Sequence, residues 1–132
     1  MKSILAAAAA GVCALSIASS VLAADMGKSE TVSGQVIDLA CYTSAGAHGM
    51  SHAACARACA KAGGALGILT KDGNVLVSIE PKPGADPNKW LLPYIEQNVT
   101  VTGTVFAGHG LSTIAITKVT PMAMMSGNHM SH

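Results

Sequence analysis

The residues able to do chemistry gather between positions 41 and 59: Cys41, His48, His52, Cys55 and Cys59. On a helix, His52, Cys55 and Cys59 are spaced i, i+3 and i+7 and share one face. Cys41 ends the loop that leaves a first strand and can fold over that face. Three cysteines and a histidine make a soft tetrahedral donor set, the kind that holds zinc. Thiolates also select copper(I) and iron–sulfur clusters. His48, one turn earlier, can stand in for His52. The spacing is neither the paired Cys-x-x-Cys of a zinc ribbon nor the Cys-x-x-Cys-His of haem attachment.

Two other readings fit the same cysteines. A disulfide from Cys41 to Cys55 or Cys59 would pin the helix to the rest of the domain and leave one thiol over. Cys55 and Cys59 are poor partners for each other, because helix geometry restrains their side chains along the axis. A redox-active thiol is the third reading, and it requires a depressed thiolate pKa.

Methionines sharpen the choice of metal. His48-Gly49-Met50-Ser51-His52 and His129-Met130-Ser131-His132 each set a thioether beside imidazoles, and the C-terminal stretch adds Met122, Met124 and Met125. Thioether sulfur binds copper(I) well and zinc poorly. Other candidates are weaker. Asp38 and Glu80 are single carboxylates without a visible acid–base partner and are expected at strand ends. Trp90 reads as a core anchor. Asn98-Val99-Thr100 matches a glycosylation sequon, which carries little weight in a bacterial-type export context. No Ser/His/Asp set, phosphate loop or dinucleotide fingerprint is present, so holding or passing an ion is expected rather than catalysis.

The elements that must position the cysteines can be traced by hydrophobic period. Residues 31–37 alternate and read as a strand with a glycine kink at Gly34. Residues 41–50 read as a loop. Ser51 can cap a helix from His52 to Ala62, stopped by Gly63-Gly64. Residues 65–70 and 75–79 read as strands joined at Asp72-Gly73, a hairpin signal. Pro81 to Pro87 is a loop, and Asp86-Pro87 looks like the cap and first position of a short helix to about Gln97. Its apolar face would carry Trp90, Leu91, Tyr94 and Ile95, with Pro93 kinking it. Residues 99–107 and 111–119 alternate again across a turn at 108–110. Five strands with a helix after the first and a short one between the third and fourth is the order of a small, mainly β, OB-like barrel. Residues 121–132 carry no core pattern and read as a flexible tail rich in Met and His.

The first 23 of the 132 residues read as a Sec-type secretory signal. Lys2 precedes an apolar run from Ile4 to Leu22, and Val21-Leu22-Ala23 resembles a peptidase site. A retained membrane anchor is the competing reading, since the run is about long enough to span a bilayer. A lipoprotein is not indicated, because Cys13 lies mid-run without a leucine three residues before it. Removing residues 1–23 takes Lys2 and Cys13 away. Seven Lys and Arg then face seven Asp and Glu, so the domain is near neutral. That balance argues against nucleic acid or an anionic membrane surface as a partner. Only Tyr42, Trp90, Tyr94 and Phe106 are aromatic. The core must therefore come from Val, Ile, Leu and Ala, and a cross-link or a metal would help so small a domain. Three cysteines remain for an oxidising compartment, an odd number that at most one disulfide can satisfy in part.

Val32-x-Gly34-x-Val36-x-Asp38-x-x-Cys41-Tyr42, then His52-x-x-Cys55-Ala56-x-x-Cys59-Ala60 and Gly63, with Val99-Thr100-Val101-Thr102-Gly103 closing, resembles a group of small exported bacterial proteins. The resemblance covers nearly all of residues 30–120 and implies an OB-like barrel with a three-cysteine site. A looser similarity is to periplasmic copper chaperones of efflux systems, which are also small exported barrels that use Met, His and Trp. The chain departs from those, because its candidate ligands are cysteines on an inserted helix and Trp90 has no neighbouring ligand motif.

The expectation is thus a periplasmic or secreted soft-metal protein. Copper is the first choice of ion, with zinc or an iron–sulfur cluster as alternatives. Cys41, Cys55, Cys59 and His52 (or His48) would be the ligands, and another periplasmic metalloprotein is a candidate partner. Membrane contact is expected only through an uncleaved signal.

Overall fold

A computed structural model describes residues 27–122. The expected signal at 1–23 lies outside them, as does the tail from residue 123 onward. Five strands run β1 Lys28–Asp38, β2 Leu66–Thr70, β3 Val75–Ile79, β4 Asn98–Gly108 and β5 Leu111–Pro121. They close into a barrel in the order β1-β2-β3-β5-β4, antiparallel throughout except for the parallel pair β3 and β5. The expected mainly β, five-stranded, OB-like barrel is the fold found.

Closure depends on β1 serving two neighbours. Its first part, from Lys28 to Gln35, pairs with β4, and its last part, from Gly34 to Asp38, pairs with β2. The handover is at Gly34, where a Cβ would collide with the Leu69 carbonyl. Only a residue without a side chain lets the two strands approach so closely. Alternation then fills the interior: Val36, Ile68, Val99, Val101, Ile114 and Ile116 are fully or almost fully buried.

Between β1 and β2 lies an insert with two helices, α1 Leu39–Ala45 and α2 Ala53–Lys61, joined through a 3-10 turn at Met50–His52. α2 lays Ala53, Ala56 and Ala60 on the barrel. These sit at helical spacing, and their small side chains allow close packing of helix on sheet. Ser51 does not cap α2, for no side chain bonds its first turn. The 3-10 turn delivers the chain into α2 instead.

The segment between β3 and β4 differs from expectation. It winds through turns and only a single 3-10 turn, Leu92–Tyr94. Pro93 lacks the N–H that a continuing α-helix would need there. With the phase of a regular helix lost, the expected apolar face splits. Leu91 and Ile95 are fully buried, whereas Trp90 is 40% exposed and is not a core anchor.

This connector also holds the insert in place. Asn88 is buried, donates from Nδ2 to the Gly64 carbonyl (2.8 Å) and accepts the Leu66 N–H at Oδ1 (3.2 Å). Those two groups lie where α2 hands over to β2. Asn88→Ala leaves both unpaired, at a cost of about 2 kcal/mol by the usual range for buried polar groups. The urea midpoint should fall with an unchanged slope. A midpoint equal to that of the parent would show that the clamp contributes nothing.

Candidate metal centre

Asp38 is the last residue of β1 and the cap of α1. Its Oδ1 accepts the Ala40 N–H at 2.9 Å. At the far end of α1, Gly46 adopts the left-handed conformation (φ 65°) and donates to the Tyr42 carbonyl at 2.8 Å. Cap and stop together turn residues expected as loop into a short helix. Cys41 therefore projects from a helix, not from a loop.

The three cysteines converge. The sulfurs of Cys41, Cys55 and Cys59 all lie within 4.8 Å of one another, with Cys55 exposed and the other two half-buried. They can hold a metal ion. No disulfide joins them, so the sequence-based alternative of a Cys41 bridge is not the arrangement found. A second group overlaps the first: a carboxylate oxygen of Asp38, the Cys41 sulfur and a ring nitrogen of His52 also lie within 4.8 Å of one another. Cys41 is the corner common to both. His48 belongs to neither group. It is exposed, its Nδ1 meets the Gly46 carbonyl at 2.8 Å, and its ring stands edge-on to Tyr42 at 5.7 Å. These contacts brace α1.

Two carboxylates were undervalued by sequence reasoning. Asp38 does end a strand, as expected, but it is completely buried and its Oδ2 has no hydrogen-bond partner. Glu96 is 2% exposed and sits at a positive φ of 61°. Its Oε2 accepts the Gly49 N–H at 2.6 Å and the Gln35 Nε2–H at 3.2 Å. The Gly49 carbonyl in turn accepts the His52 N–H at 2.9 Å. Glu96 thereby ties β1 to the turn that carries His52. Nothing local in the sequence marks either carboxylate as internal. The one available signal was the position of Asp38 three residues before a cysteine.

The electrostatics follow from Asp38. Burial pushes its carboxyl upward, but the thiols of Cys59 and Cys41 and the N–H groups of Ala40 and Cys41 outweigh that and hold it below the ordinary carboxylate value. The thiols approach as weak donors, short of a full hydrogen bond to Oδ2. The same contact acts on the sulfurs in the opposite sense. Facing Asp38, with desolvation added, pushes the Cys41 thiol up to about 12 and raises Cys59 as well. An activated redox thiol needs the reverse shift, so Cys41 and Cys59 lack that signature.

Fold and site together define a small closed five-stranded barrel that carries a cysteine–histidine cluster on an insert between its first two strands. That architecture fits in part what the sequence resemblance implied. No protein family, curated protein or solved structure matches the chain.

Asp38→Asn should retain the helix cap, since Asn caps as well as Asp, while removing the charge that keeps the thiols protonated. In metal-free reduced protein near pH 8, iodoacetamide should then modify Cys41 and Cys59 at least about tenfold faster than in the parent, because the thiolate fraction rises tenfold for each pKa unit lost. In the parent, the exposed Cys55 should react before either. Equal rates at Cys41 in both proteins would contradict the assigned electrostatics.

Proposed function

We propose that the chain is an exported carrier of a soft metal ion, copper(I) foremost, bound by the thiolates of Cys41, Cys55 and Cys59 with His52 as a fourth donor. The observation that carries this reading is the approach of three sulfurs, from two separate helices, to within 4.8 Å of each other. Around a tetrahedral ion with metal–sulfur bonds of about 2.3 Å, sulfurs stand roughly 3.8 Å apart. Copper is favoured over zinc by Met50, which is 60% exposed in the turn beside His52, and by the Met and His residues near the C-terminus. The exposure of Cys55 suits a site that releases its ion to another metalloprotein, because an incoming ligand can reach that sulfur first.

Anaerobic titration of the reduced protein against a colorimetric copper(I) chelator should reveal one tightly held, cysteine-dependent equivalent. Cys55→Ser should weaken it by at least about two orders of magnitude, since losing only a partner of a ligand already costs about 10–100-fold. Unchanged affinity in that variant would remove the carrier reading. One free thiol in the denatured protein as isolated, rather than three, would favour the disulfide-held structural domain. Export has its own check: protein recovered from a bacterial host should begin at Ala24, and a retained Met1 would support the membrane-anchor reading instead.

A further inference from the structure

We infer that Asp38, Cys41 and His52 form a second metal site, with carboxylate, thiolate and imidazole donors, that shares the Cys41 sulfur with the three-cysteine site and takes a divalent cation of the zinc class. The donor atoms of all three residues lie within 4.8 Å of one another. Independent support comes from the polar atoms left without partners. Asp38 is wholly buried and uses Oδ1 for the Ala40 N–H, yet its Oδ2 is enclosed and unbonded. His52 likewise encloses an unbonded Nε2, although the residue as a whole is only half-buried. Buried polar groups in folded proteins are overwhelmingly paired. Two orphans on residues of a single donor group point to an occupant that supplies both.

The donor chemistry selects the occupant. Oxygen and nitrogen suit borderline divalent ions better than copper(I), while the shared thiolate keeps the set soft enough for zinc. Zinc takes such donors at about 2.0–2.3 Å, so the residues need only close in slightly. Three protein ligands leave a fourth position for water or an incoming group. Charge points the same way. Metal binding would ionise cysteines beside a buried carboxylate, and a lone monovalent ion would leave most of that negative charge uncompensated. The elements around the site hold its members firmly. Asp38 is fixed as the cap of α1, Cys41 lies in the first turn of that helix, and His52 is held through Gly49 by Glu96. Glu96 acts as a positioning residue in this arrangement.

The inference rests on the three-thiolate reading in giving Cys41 a double role, and it assigns His52 to the mixed-donor site when both sites are filled, leaving the fourth position of the three-thiolate site to another ligand; the two sites separate by stoichiometry. Native mass spectrometry of the reduced, full exported chain titrated with zinc(II) is the test, in a His129→Ala/His132→Ala background so that the C-terminal histidines do not count. Two equivalents are expected for the parent. Asp38→Asn, which keeps the helix cap, and His52→Ala should each weaken one equivalent at least about tenfold and leave the other. Cys55→Ser should do the converse, and Cys41→Ser should weaken both. Cobalt(II) in place of zinc should show a thiolate charge-transfer band from the equivalent that survives Cys55→Ser. A single equivalent in the parent that Cys55→Ser weakens, or two undiminished equivalents in both Asp38→Asn and His52→Ala, overturns the second site. If Cys55→Ser and Cys59→Ser change nothing while Asp38→Asn removes an equivalent, the mixed-donor site stands and the three-thiolate reading falls.

Discussion

The arrangement turns on one buried carboxylate. Asp38 stands where the first strand leaves the barrel and the first helix begins, and it has no contact with solvent. A carboxylate in that position must be compensated by hydrogen bonds or by opposite charge, or it would be neutralised. One oxygen is satisfied by the backbone it caps, while the other faces thiols. That charge in turn favours the protonated thiol at Cys41 and Cys59. A cation entering the corner would replace protons with its own charge, the general way in which metal binding is coupled to proton release.

The barrel supplies what the corner needs, which is immobility. Alternating aliphatic residues make a closed interior with hardly any aromatic contribution, so packing rather than any single large anchor maintains it. Within the insert between β1 and β2, α2 is fastened on both sides from the same connector. Asn88 grips the exit of α2, and Glu96 grips the turn before it. The segment between β3 and β4 is therefore what holds α2 at its start and at its exit.

Much of this was legible in the residues themselves. Strict alternation marked the long strands, Asp72-Gly73 marked the hairpin, and Gly34 marked the bend, because each of those signals is local and steric. The convergence of the cysteines was also accessible, since Cys55 and Cys59 share a helix face by spacing alone. What escaped depended on distant partners. The α1 helix hid in a glycine-containing stretch whose only strong signal was its cap. The connector imitated an amphipathic helix, but Pro93 broke the phase and turned Trp90 outward. The burial of Asp38 and Glu96 is decided by strands and turns far away in sequence, and no local pattern reports it.

Closure of the ring also bears on how the chain comes together. The pairing of Lys28 with Val105 joins nearly opposite ends of the described residues, whereas β1, the insert and β2 form a contiguous stretch from 28 to 70. Long-range pairings are slow to form because a large loop must close first. During synthesis from the N-terminus, the cysteines are made well before β4 and β5, the strands that close the barrel. The three sulfurs are thus made before the barrel that carries them can close.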